Sequence, residues 1–217
     1  MSSTHLRHDQ LRTRGPQGKS TRAAVLVLHG GTDDVEKAKR PRRPFLPATM
    51  NSHWIQNGVH KALGTSGVAT WALSHRLAGW DDNADPTPVR EARAAIERIR
   101  LMHSDTIPLV LIGISMGART AVRVADEPNV RGVVGLVPWL PPDEPVENLR
   151  GKHLRVGHAS LDTVAPWKSM ENFVERASRV ASSVHHENLG PDVHQMVLPR
   201  TWQPFAARCV EEILARG

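Results

Sequence analysis

Apolar residues in this chain gather into short continuous runs rather than alternating with polar ones. Ala23–Leu28, Val68–Leu73, Ile107–Ile112 and Val130–Val137 are the clearest. Runs of this length without alternation suit parallel strands covered on both faces. His153–Gly157 is a weaker candidate, and Ser183–Leu189 reads as the last strand. Between the runs the period changes: within residues 89–103, Val89, Ala92, Ile96 and Ile99 fall on one helical face. Further helices are expected over Asn51–Leu63, ending near Gly64, and over Ala118–Ala125, Ala165–Val180 and Thr201–Ala215. Polar stretches with prolines, residues 32–47 and 74–88, read as loops. Residues 1–21 read as an irregular basic arm with a turn at Gly15-Pro16-Gln17-Gly18, and residues 22–217 as a single domain. Strands alternating with helices predict the α/β class, with a mostly parallel central sheet flanked by helices. Ligands of such sheets bind beyond the carboxyl ends of the strands, so the residues just after each run are the ones to inspect.

The run ending at Ile112 enters Gly113-Ile114-Ser115-Met116-Gly117 and then a helical stretch. A strand, a sharp turn with serine at its tip and a helix make a nucleophile elbow, whose glycines let strand and helix approach while the hydroxyl stays exposed. A serine hydroxyl needs a base to take its proton and a third group to orient that base. The later post-strand loops supply Asp162 and then His194. Other histidines fit less well. His185 and His186 lie inside the last strand, one expected inward and one outward, and His158 ends the strand before. His5, His8, His60 and His103 are expected at the surface. Asp192, two residues before His194, is better placed to cap its turn. An oxyanion would need two backbone N–H donors. Met116 follows the serine directly, and Gly31, in His29-Gly30-Gly31-Thr32, is the first choice for the second, with Thr32 behind it.

With these pieces in place, the chain resembles the α/β-hydrolase superfamily, in particular compact lidless members of the dienelactone-hydrolase-like and small carboxylesterase kind. The matching segments are Leu28-His29-Gly30-Gly31, Gly113-Ile114-Ser115-Met116-Gly117, Asp162 and His194, over about residues 23–216. The resemblance implies an eight-stranded, mostly parallel sheet, whose first two strands are weak or missing here, and acyl-enzyme chemistry. It departs from the family's usual His-Gly-x-x-Asp in His158-Ala159-Ser160-Leu161-Asp162, and Val193 stands where glycine often precedes the histidine. The expected activity is a serine esterase with Ser115, Asp162 and His194 as triad and no metal or organic cofactor. Acyltransferase, thioesterase or amidase chemistry on the same fold, or a non-catalytic binding protein, are the alternatives, because one fold carries many functions.

Composition narrows the picture further. The absence of Tyr among 217 residues excludes a tyrosine acid or base, and the single cysteine, Cys209, excludes an internal disulfide and a cysteine zinc site. No apolar leader and no membrane-length apolar run is present, so a cytoplasmic protein without membrane partners is expected. The net charge of +6 comes from scattered arginines, and the Lys37–Arg43 run is broken by proline and lacks interleaved aromatics. A solvated basic surface is expected, with no nucleic-acid partner. Only Trp139–Arg150 separates two strands where a cap could be inserted, which predicts an open cleft and a small or short-chain ester substrate. Trp139, Gly30 and Thr32 are expected to line it, with Trp80 or Trp54 joining, while His53 and His75 are undecided between pocket and surface.

Overall fold

The apolar runs become the centre of a seven-stranded sheet in the computed structural model, which describes residues 6–41 and 47–216. The strands are β1 (Leu11–Arg14), β2 (Ala23–Leu28), β3 (Val68–Leu73), β4 (Leu109–Ile114), β5 (Val130–Leu136), β6 (His153–His158) and β7 (Ser183–Asn188). Their order is β1-β3-β2-β4-β5-β6-β7, with β1 antiparallel to β3 and every other pair parallel. The described sheet thus has one strand fewer than the eight that the resemblance implies. The arm expected to be irregular supplies β1, with Leu11 opposite Leu73. An edge strand needs only a backbone partner, so Leu11-Arg12-Thr13-Arg14 gives no apolar signal. The opposite edge corrects a second expectation: His185 and His186 are both exposed, because β7 ends the sheet.

The helices are α1 (Val35–Ala38), α2 (Pro47–Leu63), α3 (Thr87–Met102), α4 (Met116–Arg123), α5 (Trp167–Ser178) and α6 (Pro199–Ala215). The short α1 lies inside the stretch expected to be all loop, where the Asp34 side chain accepts the Lys37 N–H. Val25 and Val27 of β2 face one layer, with Ile55 and Val59 of α2 and Trp202, Phe205 and Val210 of α6. Leu26 and Leu28 face the other, with Ile96 and Ile99 of α3, Val122 of α4 and Phe173 of α5. Both faces of the central strands are therefore buried, which is why their sequences carry no alternation. Cys209 packs inside α6, and burial pushes its thiol pKa up to about 12, so it is an inert packing residue. His103, expected at the surface, is buried edge-on against Trp71. Among the described residues no helix is long and apolar enough to cross a membrane.

From β2 the chain crosses to β3 on one side and then to β4 on the other. The strand order reverses between β2 and β4, and a crevice opens at the carboxyl ends of strands at such a point. His29–Thr32 and Ser115 leave those two strands there.

Candidate active site

Ser115 caps α4 with φ 52° and ψ −120°, a backbone conformation that side chains rarely adopt. The geometry of the elbow is enforced by its glycines. A Cβ on Gly113 would run into Ala118 Cα, and one on Gly117 into Leu28 O, both backbone atoms that cannot swing away. Among the described residues two other non-glycine residues have positive φ, Val137 at 40° and Met196 at 53°. Val137 follows β5 next to the elbow, and Met196 lies two residues past His194. Strained backbone clusters where the surrounding structure fixes a functional geometry.

The three side chains singled out in the sequence meet. His194 Nδ1 lies 2.8 Å from Asp162 Oδ2, and His194 Nε2 lies 2.9 Å from Ser115 Oγ. An ionised carboxylate can only accept, so His194 donates from Nδ1, which leaves Nε2 as acceptor for the serine hydroxyl. Asp162 is buried, and its other oxygen accepts the N–H groups of Val164 and Ala165, each at 2.9 Å. The Asp162 and His194 loops are tied together through Ser160 N–H to Gly190 O (3.0 Å) and Leu161 N–H to Asp192 O (3.2 Å). Asp192 caps its turn as expected, accepting the N–H groups of Val193, Val197 and Leu198 and the Trp202 indole.

Opposite Ser115 stands the turn after β2. A Cβ on Gly30 would come within 3.3 Å of Ser115 Cβ, and one on Gly31 within 2.8 Å of Met116 Sδ. The Met116 N–H opens α4 without an intrahelical acceptor, at the positive end of the helix dipole. Among the described residues neither Gly31 N–H nor Met116 N–H donates to another group. Thr32 does not share this freedom. Its N–H is committed to Ala78 O at 3.1 Å, its carbonyl accepts from Trp80 and its hydroxyl accepts from Asp34. The threonine holds loop 78–80 in place, so the second-choice oxyanion donor is set aside.

A buried network that the sequence did not reveal supports this turn. His29 Nδ1 meets Gly30 O at 2.6 Å, and His29 Nε2 accepts the His75 N–H at 3.0 Å. His75 Nδ1 in turn lies 3.0 Å from Glu91 Oε2, with both side chains fully buried. Burial alone would push the Glu91 carboxyl up, but His75, Arg76 and Gln10 outweigh it and hold it below the ordinary range. His75 is therefore neither pocket lining nor surface. The available signal was Glu91 itself, a charge inside the inward arc of Ala92, Ala95 and Ile99.

Trp139 is half-buried, and its N–H donates to Ser115 O at 3.2 Å, which places it beside the elbow. Trp80 is buried under the Arg119 guanidinium, and Trp54 packs against the layer of α2 and α6. His158 stacks on Trp167, which also stacks on His186. The described residues contain no group of three or more His, Cys, Asp or Glu arranged to hold a metal ion.

A family profile described as "Alpha/beta hydrolase family" matches residues 25–212. No curated protein matches the chain in sequence. Among solved structures, a putative α/β hydrolase of unknown function from Agrobacterium tumefaciens is similar at TM-score 0.69 and 18% identity, covering 95% of this chain and 90% of that one. An α/β serine hydrolase without lid from Xanthomonas campestris matches at 0.64 and 15%, covering 95% and 87%. Est1E from Butyrivibrio proteoclasticus, solved with ferulic acid bound, matches at 0.64 and 12%, covering 94% and 95%. At these identities the likenesses speak for the fold. The profile match spans most of the sequence, and the chain belongs to the alpha/beta hydrolase family.

Proposed function

We propose that this protein is a serine hydrolase that cleaves a small or short-chain carboxylic ester. The observation that carries the reading is the unbroken chain from Ser115 Oγ through His194 to Asp162, at 2.9 and 2.8 Å. Ser115 Oγ attacks the ester carbonyl while its proton passes to His194 Nε2, and a tetrahedral oxyanion forms. Collapse breaks the bond to the alcohol, whose oxygen takes the proton from His194, leaving an acyl group on Ser115. Water then attacks that carbonyl, gives its proton to His194, and the acid departs as the proton returns to Ser115 Oγ. Asp162 holds the His194 tautomer and stabilises the imidazolium. Met116 N–H and Gly31 N–H are the oxyanion donors in this reading, a role worth about 3–4 kcal/mol per donor in comparable sites. The modest insertion after β5 and the absence of a cap among the described residues favour small substrates, and Trp139 and Gly30 would wall the cleft.

Covalent labelling by a fluorophosphonate, together with turnover of p-nitrophenyl esters of rising acyl length, tests the proposal. Wild type should label and hydrolyse short esters, and Ser115→Ala should do neither. Wild type that neither labels nor turns over any ester would overturn it. Faster turnover of thioester or amide analogues than of matched esters would move the chemistry to those substrates.

A further inference from the structure

The helix after the elbow carries a charge where most sides are closed to water. Arg119, four residues past Ser115, has a side chain only 10% exposed. Its Nε donates to Glu144 Oε2 at 2.6 Å. Its guanidinium carbon lies 3.9 Å from the Trp80 ring centroid and 5.4 Å from that of Trp139. Side chains on a helix tilt toward its N-terminus, the end of α4 that Ser115 caps, and Arg119 stands one turn from it. Both indoles stand on loops that frame the serine. The Trp139 backbone N–H donates to Ser115 O, and Trp80, which follows Gly79 at the Gly31 turn, donates its backbone N–H to Thr32 O at 2.8 Å.

The charges here do not balance. Arg119 and Arg123 share the one carboxylate of Glu144, while Arg176 donates to the carbonyls of Glu144 and Pro142. Arginine frequently meets a carboxylate with two parallel N–H groups. Arg119 instead offers only Nε. Among the described residues its two Nη groups make no hydrogen bond, and they are not among the buried polar atoms sealed from solvent. A clamp built only to join Glu144 to α4 gains nothing from leaving that edge open. A guanidinium beside two indoles in a water-poor setting is a strong anion receptor.

We propose that the Nη edge of Arg119 binds an anionic group of the substrate, so that the preferred ester carries a second, ionised acid group. For the ester half of the ligand this rests on the serine-hydrolase reading. Arg119 and the two indoles recognise the charge, and Ser115 acts on the neighbouring carbonyl. The anion belongs to the acyl part or to the alcohol part, and matched substrate pairs separate the two.

Monomethyl glutarate against methyl butanoate tests an acyl-side anion, and O-butanoyl glycolate against ethyl butanoate tests an alcohol-side one, followed by pH-stat on the full chain. At least one pair should favour the anion in kcat/KM by about tenfold or more, chiefly through KM, as a charge-assisted hydrogen bond implies. The ratio should fall to near one in Arg119→Met and stay intermediate in Arg119→Lys. Calorimetry reads the same site without turnover: wild type should bind glutarate, more weakly as salt is added, and Arg119→Met should not. Should the variants fail to fold, competitive inhibition of wild-type methyl butanoate hydrolysis by glutarate takes their place. No charge preference in either pair, a ratio unchanged in Arg119→Met, or no glutarate binding or inhibition in wild type would overturn the inference. Neutral esters hydrolysed without glutarate binding would sink this inference alone. Arg119-dependent glutarate binding in a protein that neither labels nor hydrolyses esters would keep the anion site and sink the hydrolase reading.

Discussion

The carboxylate of Asp192 accepts the indole N–H of Trp202 at 2.7 Å, with both side chains buried. The same carboxylate takes the N–H groups of Val193, Val197 and Leu198, so it fastens the whole His194 turn to α6. Burial would raise the Asp192 pKa, but the indole and the three backbone donors outweigh it and hold the carboxyl below its usual range. Removing the acceptor leaves several buried N–H groups unpaired. Asp192→Ala should cost about 3 kcal/mol or more in urea unfolding. Because a displaced base slows chemistry before it weakens binding, kcat should fall at least about tenfold with little change in KM. Asp192→Asn, which keeps one acceptor oxygen, should lose less of both. Lost stability with kcat untouched would mean that the brace does not position His194.

Acid should weaken the fold in two stages. Desolvation, and then the nearby His186, lower the His158 pKa below its ordinary 6.5. Desolvation, and then Arg155 and Arg216, lower that of His153 in the same direction. The unfolded chain then binds protons that the folded one refuses, so stability falls as pH drops from about 6.5 through the folded values. Glu91 and Asp192 have lowered carboxyl pKa values, and their contribution is present above the ordinary 4.5 and 3.8 and lost below them. Thermal midpoints measured from pH 8 to pH 3 should show a first decline below about 6.5 and a steeper one below about 4.5. His158→Phe, which keeps a ring on Trp167, should flatten the first decline. An unchanged slope in that variant would remove His158 from the account.

Much of the fold could be read in advance because burial on both faces forces a continuous apolar sequence. β2, β3, β4 and β5 announced themselves this way, and the turn at Gly113–Gly117 did so through steric need at two glycines. The edge strand β1 gave little signal, since half of an edge strand's pairing meets solvent, whereas β7 was legible as a strand but not as an edge. Ser115, Asp162 and His194 could be picked out because each sits just past a strand, where side-chain type and topology coincide. The support behind them could not. His29, His75 and Glu91 meet through contacts between residues far apart in sequence, and the strain at Val137 and Met196 belongs to tertiary packing. Nothing in the sequence sets Arg119 apart from the chain's other arginines, because the two indoles beside it come from other loops.

Glu144 has 1% of its side chain exposed and pairs with both Arg119 and Arg123. Removing one partner of a buried ion pair leaves the other uncompensated, a loss of about 3–5 kcal/mol. Glu144→Gln should therefore lower the urea midpoint by that order. Arg179→Gln, which breaks an exposed pair with Glu175, should change it by less than about 1 kcal/mol. Equal effects of the two substitutions would show that the Glu144 cluster is no more than a surface network.

The Gly30–Gly31 peptide is aimed from behind. His29 Nε2 accepts the His75 N–H, so the ring proton sits on Nδ1 and is donated to Gly30 O. A trans peptide is planar, so holding the Gly30 carbonyl also fixes the direction of the Gly31 N–H. No side chain fits at Gly31: a Cβ would meet Ala78 O at 2.7 Å, Met116 Sδ at 2.8 Å and Gly79 Cα at 3.0 Å. Gly31→Ala must shift the peptide to relieve these contacts. If that N–H stabilises the oxyanion, kcat should fall by about 10²–10³ while KM changes little. Thr32→Ala removes a hydroxyl that, among the described residues, accepts only from the Asp34 N–H, so it should cost less than about threefold. Both variants should be compared at matched folded fraction by circular dichroism. A Gly31→Ala enzyme within about threefold of wild type would move the second oxyanion donor elsewhere in the cleft.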